Sequence, residues 1–417
     1  MNFLKPTDPA IYELVKAEKN RQAETLMLIP SENYASQAVE AVVGSCLANK
    51  YAEGYPHKRY YQGQKFVDIV EELTQKRAKK IFKVAHVNVQ PYSGSPANAA
   101  VYFGLLKPGD TIMGLTLSHG GHLTHGHPKV TFSGKIFNSI QYEVGKDEKI
   151  DYDALLDFVK NHQPKLIIAG TTAYPRILEF AKFAKIADSV GAYLMADISH
   201  IAGLVVAGVH PSPAAHAHVI TTTTHKTLRG PRGAMIMITN KGLKKDQEMI
   251  KKIDRAVFPG LQGGPHINTI AGIAVALKEA STSKFKTYAK NIVANAQVLA
   301  GTLKKEGIRL TTNGTDNHLM VADLRPIDIL GKDAAVLLEK ANIVVNYNTV
   351  PYDPNPPFNP SGIRLGTPAV TSRGMGKKEM RLIGTLIAQV LKKKVAVSEA
   401  KKQVKALCRQ FPIPTEY

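Results

Sequence analysis

The hydrophobic positions of this chain change period several times, and each change marks an element. Ile11, Leu14, Val15 and Ala17 recur at helical spacing behind Pro9, which predicts a first helix over residues 9–24. A short apolar run, Leu26–Ile29, turns at Pro30 into the polar stretch Ser31-Glu32-Asn33-Tyr34. Val67, Val70, Leu73, Ala78, Ile81 and Phe82 define a second helix. Strand-length apolar runs follow at Val87–Val89, Thr111–Leu115, Leu166–Ala169, Tyr193–Ala196, Val219–Thr222 and Ala234–Ile238, with helical stretches such as Ile177–Val190 between them. Alternation of this kind predicts an α/β fold with a largely parallel sheet covered by helices. The last strand follows its neighbour through a tight turn and is expected to pair antiparallel. From about residue 281 the pattern shifts to a basic helix, a polar turn at Thr312–Asn317, and strands at Leu319–Val321 and Ile343–Val345. That texture predicts a smaller α+β domain.

A chain of 417 residues exceeds what one hydrophobic core holds. The expected division is an N-terminal helix with active-site and dimer loops over 1–60, a large domain over 61–280 and a small domain over 281–417. Cys46 and Cys408 are far apart and form no CxxC, which points to a reducing, cytoplasmic setting rather than disulfides or zinc. No charged and apolar leader opens the chain. The most apolar long window, Gly191–Val209, carries Asp197 and His200 near its centre and is excluded as a spanning helix. The net charge of +20 is the unusual quantity. From Lys377 to Arg409 ten Lys and Arg face only Glu379 and Glu399, which suits an anionic partner, nucleic acid included, as well as it suits a solvated helix face.

Candidate chemistry gathers at strand ends. Lys226 stands just past the β-branched run Val219–Thr221, among four threonines and His225, with no carboxylate beside it. A lysine shielded from water gives up its proton more readily and can form a Schiff base with an aldehyde cofactor such as pyridoxal phosphate. Asp197 ends another apolar run and requires a cationic or N–H partner, which a protonated pyridine supplies; the alternative is an N-cap for the next helix. After the strand at Val87–Val89, Ser95 reads as an N-cap with Pro96 at the first helical position, leaving N–H groups free for a phosphate. The cluster His119–His127 invites a metal site, but no Cys or carboxylate nearby completes a ligand set, so no metal is assigned. Phe258–Pro265 is a Gly-rich loop able to hold an anion or simply to turn the chain. Arg364, between Gly362 and Gly366, has the planar fork that clamps a carboxylate. The loop Asn49–Tyr61 packs four tyrosines and Glu53 into a surface suited to a ligand or to a dimer contact.

Taken together, LIPSENY (28–34), NKYAEGYPHKRYY (49–61), SGSPAN (93–98), HGGHLTHG (119–126), ADISHIAG (196–203), residues 221–233, 258–265, 315–319 and 361–371 resemble the serine hydroxymethyltransferase family, in its order and spacing, over essentially the whole chain. The resemblance implies a fold-type I pyridoxal-phosphate transferase, aspartate-aminotransferase-like, that exchanges a one-carbon unit between serine and tetrahydrofolate to give glycine and 5,10-methylenetetrahydrofolate. It also implies a homodimer with active sites shared between subunits. Lys226 would hold the cofactor covalently beside His225, Asp197 would meet the pyridine nitrogen, and His122 would stack on the ring, with His200 and Thr172 near its hydroxyl. Ser93, Gly94 and Ser95 would bind the phosphate with Tyr51 and Gly263 of the partner subunit. Ser31 and Arg364 would take the amino-acid carboxylate with Arg232 in support, and Glu53 would handle protons near Tyr61. Leu117, Gly121, His122, Leu123, Asn348, Pro356, Pro357 and Phe358 would contact folate. The chain departs from the family's usual pattern at Pro30, His57, Pro96 and the additional proline of Pro356-Pro357.

Two other readings stand beside it. A folate-independent aldolase acting on β-hydroxy amino acids shares the cofactor chemistry and differs in its folate dependence. An added RNA-binding role rests on the basic C-terminal region and predicts salt-sensitive binding.

Overall fold

A computed structural model describes residues 3–417. The helix predicted near the start spans Pro9–Ala23, capped by Asp8, whose carboxylate accepts from the Ile11 N–H. Its apolar side chains Ile11, Leu14 and Val15 remain exposed. The next segment forms β1 (Leu26–Met27), followed by a small ribbon of β2 (Gly54–Tyr55) and β3 (Lys58–Arg59).

The main sheet is built from β4 (His86–Asn88), β5 (Thr111–Leu115), β6 (Asn138–Tyr142), β7 (Leu166–Gly170), β8 (Tyr193–Asp197), β9 (Val219–Thr223) and β10 (Ala234–Ile238). Its order is β4-β10-β9-β8-β7-β5-β6. The five strands from β9 to β6 run parallel, while β10 is antiparallel to both β9 and β4. β7, β9 and β10 are buried along their whole length and β8 everywhere but at Tyr193, as strands covered by helices on both faces must be. The turn between β9 and β10 is not tight. It is the loop 224–233, which carries Lys226.

The helix after β4 spans Gly94–Leu105 with Ser93 at its N-cap position and no side-chain cap bond. Ser95 is therefore not the cap expected from the Ser-Pro pair. It lies inside the first turn, where Pro96 is tolerated because first-turn N–H groups have no helical acceptor in any case. The apolar window Gly191–Val209 is divided between β8 and the helix Ala202–Ala207. Among the described residues no helix is long and apolar enough to cross a membrane.

The helix Ser283–Lys305 leaves the large core and enters a second one. There β11 (Arg309–Leu310), β12 (Leu319–Asp323), β14 (Asn346–Asn348) and β15 (Gly362–Gly366) form an antiparallel sheet, backed by Gly331–Lys340 and Lys377–Leu391. The remaining strand, β13 (Ile343–Val344), pairs parallel with β1, so Leu26 and Leu28 belong to this second core.

Candidate active site

The register of the parallel strands brings the key side chains to one edge. Gly170, Asp197 and Thr221 are paired neighbours on β7, β8 and β9, so everything just beyond them opens into the same crevice at the C-terminal strand ends. Gly94 brings the start of its helix against β9, where a Cβ on that glycine would lie 2.8 Å from Thr223 Cγ2. The N–H groups of Gly94 and Ser95 are thereby aimed, with the positive end of the helix, at the crevice.

Lys226 projects from a loop that is closed on itself. Gly230 N donates to Thr224 O at 2.8 Å and the Thr224 hydroxyl donates to Pro231 O at 2.6 Å. The carbonyl of Lys226 accepts from Arg229 N at 3.1 Å and from Asn33 Nδ2 at 3.0 Å. Burial pushes the Lys226 ammonium down to about 8; Asp197 opposes this, and the Arg364 and Arg232 cations reinforce it. His225 is pushed down to about 3 by burial and then by Lys226 and Arg232, and its Nδ1 is buried with no partner among the described residues.

Asp197 is the anionic counterpart. Burial alone would protonate it, but hydrogen bonds from His125, Asn98 and Ser199 hold it well below the usual carboxylate range. His125 Nε2 donates to Oδ2 at 2.9 Å, Asn98 Nδ2 to the same oxygen at 3.0 Å, and Ser199 N to Oδ1 at 3.0 Å. Asp197 does not cap a helix, since the next one begins at Ala202. The histidine cluster resolves into separate tasks: His125 serves Asp197, and His122 Nδ1 accepts the Thr124 N–H at 3.1 Å. Burial lowers His122 to about 4, which keeps its ring neutral. Among the described residues no group of three or more His, Cys, Asp and Glu is arranged to hold a metal.

Arg364, on β15, donates through Nη1 to Thr172 O at 2.6 Å and through Nε to Asn346 Oδ1 at 3.0 Å. Burial pushes it down to about 10, so it stays cationic at neutral pH. The Thr172 hydroxyl donates to Gly121 O at 2.6 Å. Pro30, one of the unusual residues, packs on the end of β15. A Cβ on Gly366 would lie 2.7 Å from Pro30 Cβ, and Gly366 N donates to Leu28 O at 2.7 Å. Ser31 follows it half-buried, and Arg232 is exposed. His200 is buried with Nδ1 3.3 Å from His318 Nε2.

Leu117, Asn348, Thr172 and Pro357 line a cavity of about 480 Å³ with His127, Lys129 and Tyr347. Gly121 is required nearby, because a Cβ there would lie 1.9 Å from Leu115 O. Leu123, Pro356 and Phe358 are exposed and lie outside that lining.

A further group forms its own surface. Tyr51 and Tyr61 meet edge to face with centroids 5.2 Å apart, and the Glu53 carboxylate raises the Tyr51 phenol. A Cβ on Gly263 would lie 3.3 Å from Glu53 Oε1. Glu53, Tyr60, Leu261 and Gly263 line an open hollow of about 550 Å³. The loop is held from behind by Arg59, which donates to Ala52 O and Gly54 O at 2.8 Å and to Asp68 and Glu71 at 2.9 and 2.6 Å. His57 takes the left-handed backbone (φ 62°) and anchors there through Asp68 and Glu72. No hydrogen bond or ion pair joins Tyr51, Glu53, Tyr61 or Gly263 to Lys226, Asp197 or Arg364 among the described residues.

His125, Asn98 and His318 do not stand out in the sequence. Each lies within a quoted motif, and the demand of a buried carboxylate for N–H donors was the available signal for the first two.

These groups fit a phosphorylated pyridine aldehyde: free N–H groups at a helix start, an amine that loses its proton near neutrality, and an ionised carboxylate whose Oδ1 accepts only one protein N–H. A mostly parallel mixed sheet with that aspartate at the end of β8 and that lysine in the loop after the neighbouring β9 belongs to the fold-type I pyridoxal-phosphate class. Residues 4–387 match the family described as Serine hydroxymethyltransferase. The chain is 56% identical over 418 residues to a serine hydroxymethyltransferase of Sorangium cellulosum, covering 99% of this chain and 97% of the relative. It is 54% identical over 421 residues to one of Acidothermus cellulolyticus (99% and 97%) and 54% over 417 residues to one of Desulfotalea psychrophila (99% and 96%). The chain belongs to the serine hydroxymethyltransferase family.

Proposed function

We propose that this protein transfers the hydroxymethyl carbon of serine reversibly to tetrahydrofolate, giving glycine and 5,10-methylenetetrahydrofolate, with pyridoxal phosphate carried on Lys226. The observation that carries the reading is the pairing of β8 and β9, which sets an ionised Asp197 and a lysine of lowered pKa in one crevice. When bound, pyridoxal phosphate supplies an electron sink for the pair released as the Cα–Cβ bond of serine breaks.

The protein's part is to bind, orient and move protons. Gly94 and Ser95 offer N–H groups, with the Ser93 hydroxyl, to the phosphate. Asp197 accepts the pyridine N–H, His122 lies against the ring, His200 and Thr172 face its hydroxyl, and His225 flanks the lysine. Arg364 and Ser31 hold the amino-acid carboxylate, with Arg232 contributing positive potential. The 480 Å³ cavity beside Thr172 is wide enough for the folate ring system, with Leu117, Gly121, Leu123, Asn348 and the Pro356–Phe358 segment as its contacts.

Glu53, Tyr51, Tyr61 and Gly263 complete the site from a second copy of the chain. The exposed Tyr51, Tyr60, Tyr61 and Leu261 support this assignment, as do the uncovered apolar stripes Ile11/Leu14/Val15 and Phe66/Ile69/Leu73. In that arrangement Glu53 reaches the serine hydroxyl and handles its proton.

The test is a purified-protein assay of glycine formation from serine with and without tetrahydrofolate, with Lys226→Ala as control. Folate-dependent glycine formation, lost in the control, is expected. Equal cleavage without folate would replace the reading with that of an aldolase.

A further inference from the structure

His318 belongs to the turn Thr315–Leu319, which the second core inserts against the large one. Asp316 N donates to Pro175 O at 2.8 Å and Asn317 Nδ2 to Tyr174 O at 3.1 Å. The His318 side chain is fully buried, and its Nε2 lies 3.3 Å from His200 Nδ1. Its Nδ1 is buried without any partner among the described residues. Both rings are neutral: burial, with the Lys226 and Arg364 cations nearby, disfavours a further charge.

Two neutral imidazoles in contact allow two proton arrangements. If His200 Nδ1–H donates to His318 Nε2, the proton of His318 must sit on Nδ1, where no acceptor exists. A buried N–H left unpaired is the less tolerated defect, whereas an idle lone pair is the milder one. If instead His318 Nε2–H donates to His200 Nδ1, the orphaned atom of His318 is only a lone pair. Both rings then carry their proton on Nε2, the form that free imidazole side chains favour. His200 is left with an Nε2–H that has no protein acceptor among the described residues.

We propose that His318 is a positioning residue that locks the tautomer of His200, so that His200 presents a hydrogen-bond donor to an anionic oxygen of the ring held by Lys226. The proposal rests on the functional reading above for the identity of that ring. The donor is built into the protein before any ligand arrives, because it follows from a contact between two buried side chains.

The test uses selectively ¹⁵N-histidine-labelled full-length protein without cofactor, alongside His318→Gln and His318→Leu. In the wild type, His200 is expected to be protonated on Nε2 and bare on Nδ1. His318→Gln retains an N–H donor and is expected to bind pyridoxal phosphate within about threefold of wild type. His318→Leu is expected to bind it about tenfold more weakly and to lose kcat with little change in the serine KM. A His200 protonated on Nδ1 in the wild type, or Gln and Leu variants indistinguishable in cofactor affinity, would overturn the proposal. Should the Leu variant fail to fold, the wild-type spectrum decides alone. The spectrum requires neither serine nor folate, so a wild type that lacks the transferase reaction sinks the functional reading and leaves the tautomer result standing.

Discussion

The guanidinium carbon of Arg229 lies 3.4 Å from the centre of the Tyr417 ring and 4.0 Å from that of Tyr288. Arg229 is buried in a left-handed backbone conformation (φ 58°), three residues beyond Lys226. Its Nε has no hydrogen-bond partner among the described residues, and aromatic faces stand in for a counter-ion. Tyr417 in turn donates to Tyr34 O at 2.7 Å. A desolvated cation–π contact is worth about 2 kcal/mol. Tyr417→Ala is therefore expected to lower the melting temperature by roughly 2–4 °C, with Tyr417→Phe close to wild type, as read by thermal melts.

The lowered pKa of Lys226 predicts two pH effects. Its unprotonated amine is the reactive form, so the rate of pyridoxal phosphate capture should rise with a midpoint of about pH 8, as stopped-flow absorbance would show. In stability, the folded state holds the ammonium at a disadvantage that is full below about pH 8. Between there and the ordinary lysine range the unfolded chain binds more protons, so stability from this group rises with pH. Lys226→Met should accordingly stabilise the cofactor-free protein at pH 7, and the gain should shrink toward pH 10.5 in denaturant titrations. A gain that is flat across that range would contradict the buried-charge account.

Removing the charge of Asp197 should be strongly damaging. Asp197→Asn loses the anion proposed to stabilise the pyridine N–H, with an expected fall in kcat of about 10²–10³-fold. His125→Leu leaves the carboxylate but takes away its charge-assisted donor, and a fall of about tenfold is expected. Steady-state rates with saturating cofactor separate the two. Equal effects would mean that His125, not the carboxylate charge, governs the site.

The proposed sharing of the site between subunits has a simple stoichiometric signature. Lys226→Ala and Glu53→Gln proteins, each inactive, should regain up to about a quarter of wild-type activity when unfolded and refolded together, because half of the dimers are hybrids with one intact site of two. No recovery, with hybrids verified by mass, would place Glu53 in the same subunit as its Lys226.

The long apolar strands were legible because burial on both faces leaves them little choice of composition. Thr111–Leu115 and Ala234–Ile238 are found with the boundaries that their runs suggest. β6, Asn-Ser-Ile-Gln-Tyr, was not legible, since it lies at the sheet edge and is only partly buried. Lys226, Asp197 and Arg364 stand out by charge against apolar or Gly-rich surroundings. The residues that serve them do not, because their partners are distant in sequence: His125 is 72 positions from Asp197, Asn98 is 99, and His318 is 118 from His200. Ser95 misled because a Ser-Pro pair satisfies the rules for a helix start equally well one or two residues further out.

The pairing of Leu26 and Met27 with Ile343 and Val344 also governs the order in which the protein can be finished. On the ribosome the early strand must wait for its partner while more than three hundred residues are added, on the order of tens of seconds at ordinary elongation rates. Throughout that interval Leu26 and Leu28, fully buried at the end, have no core to enter. The nascent chain thus carries a sticky apolar tether at its front, a natural site for chaperone attention. Only the synthesis of the last third lets Leu26 and Leu28 take their places.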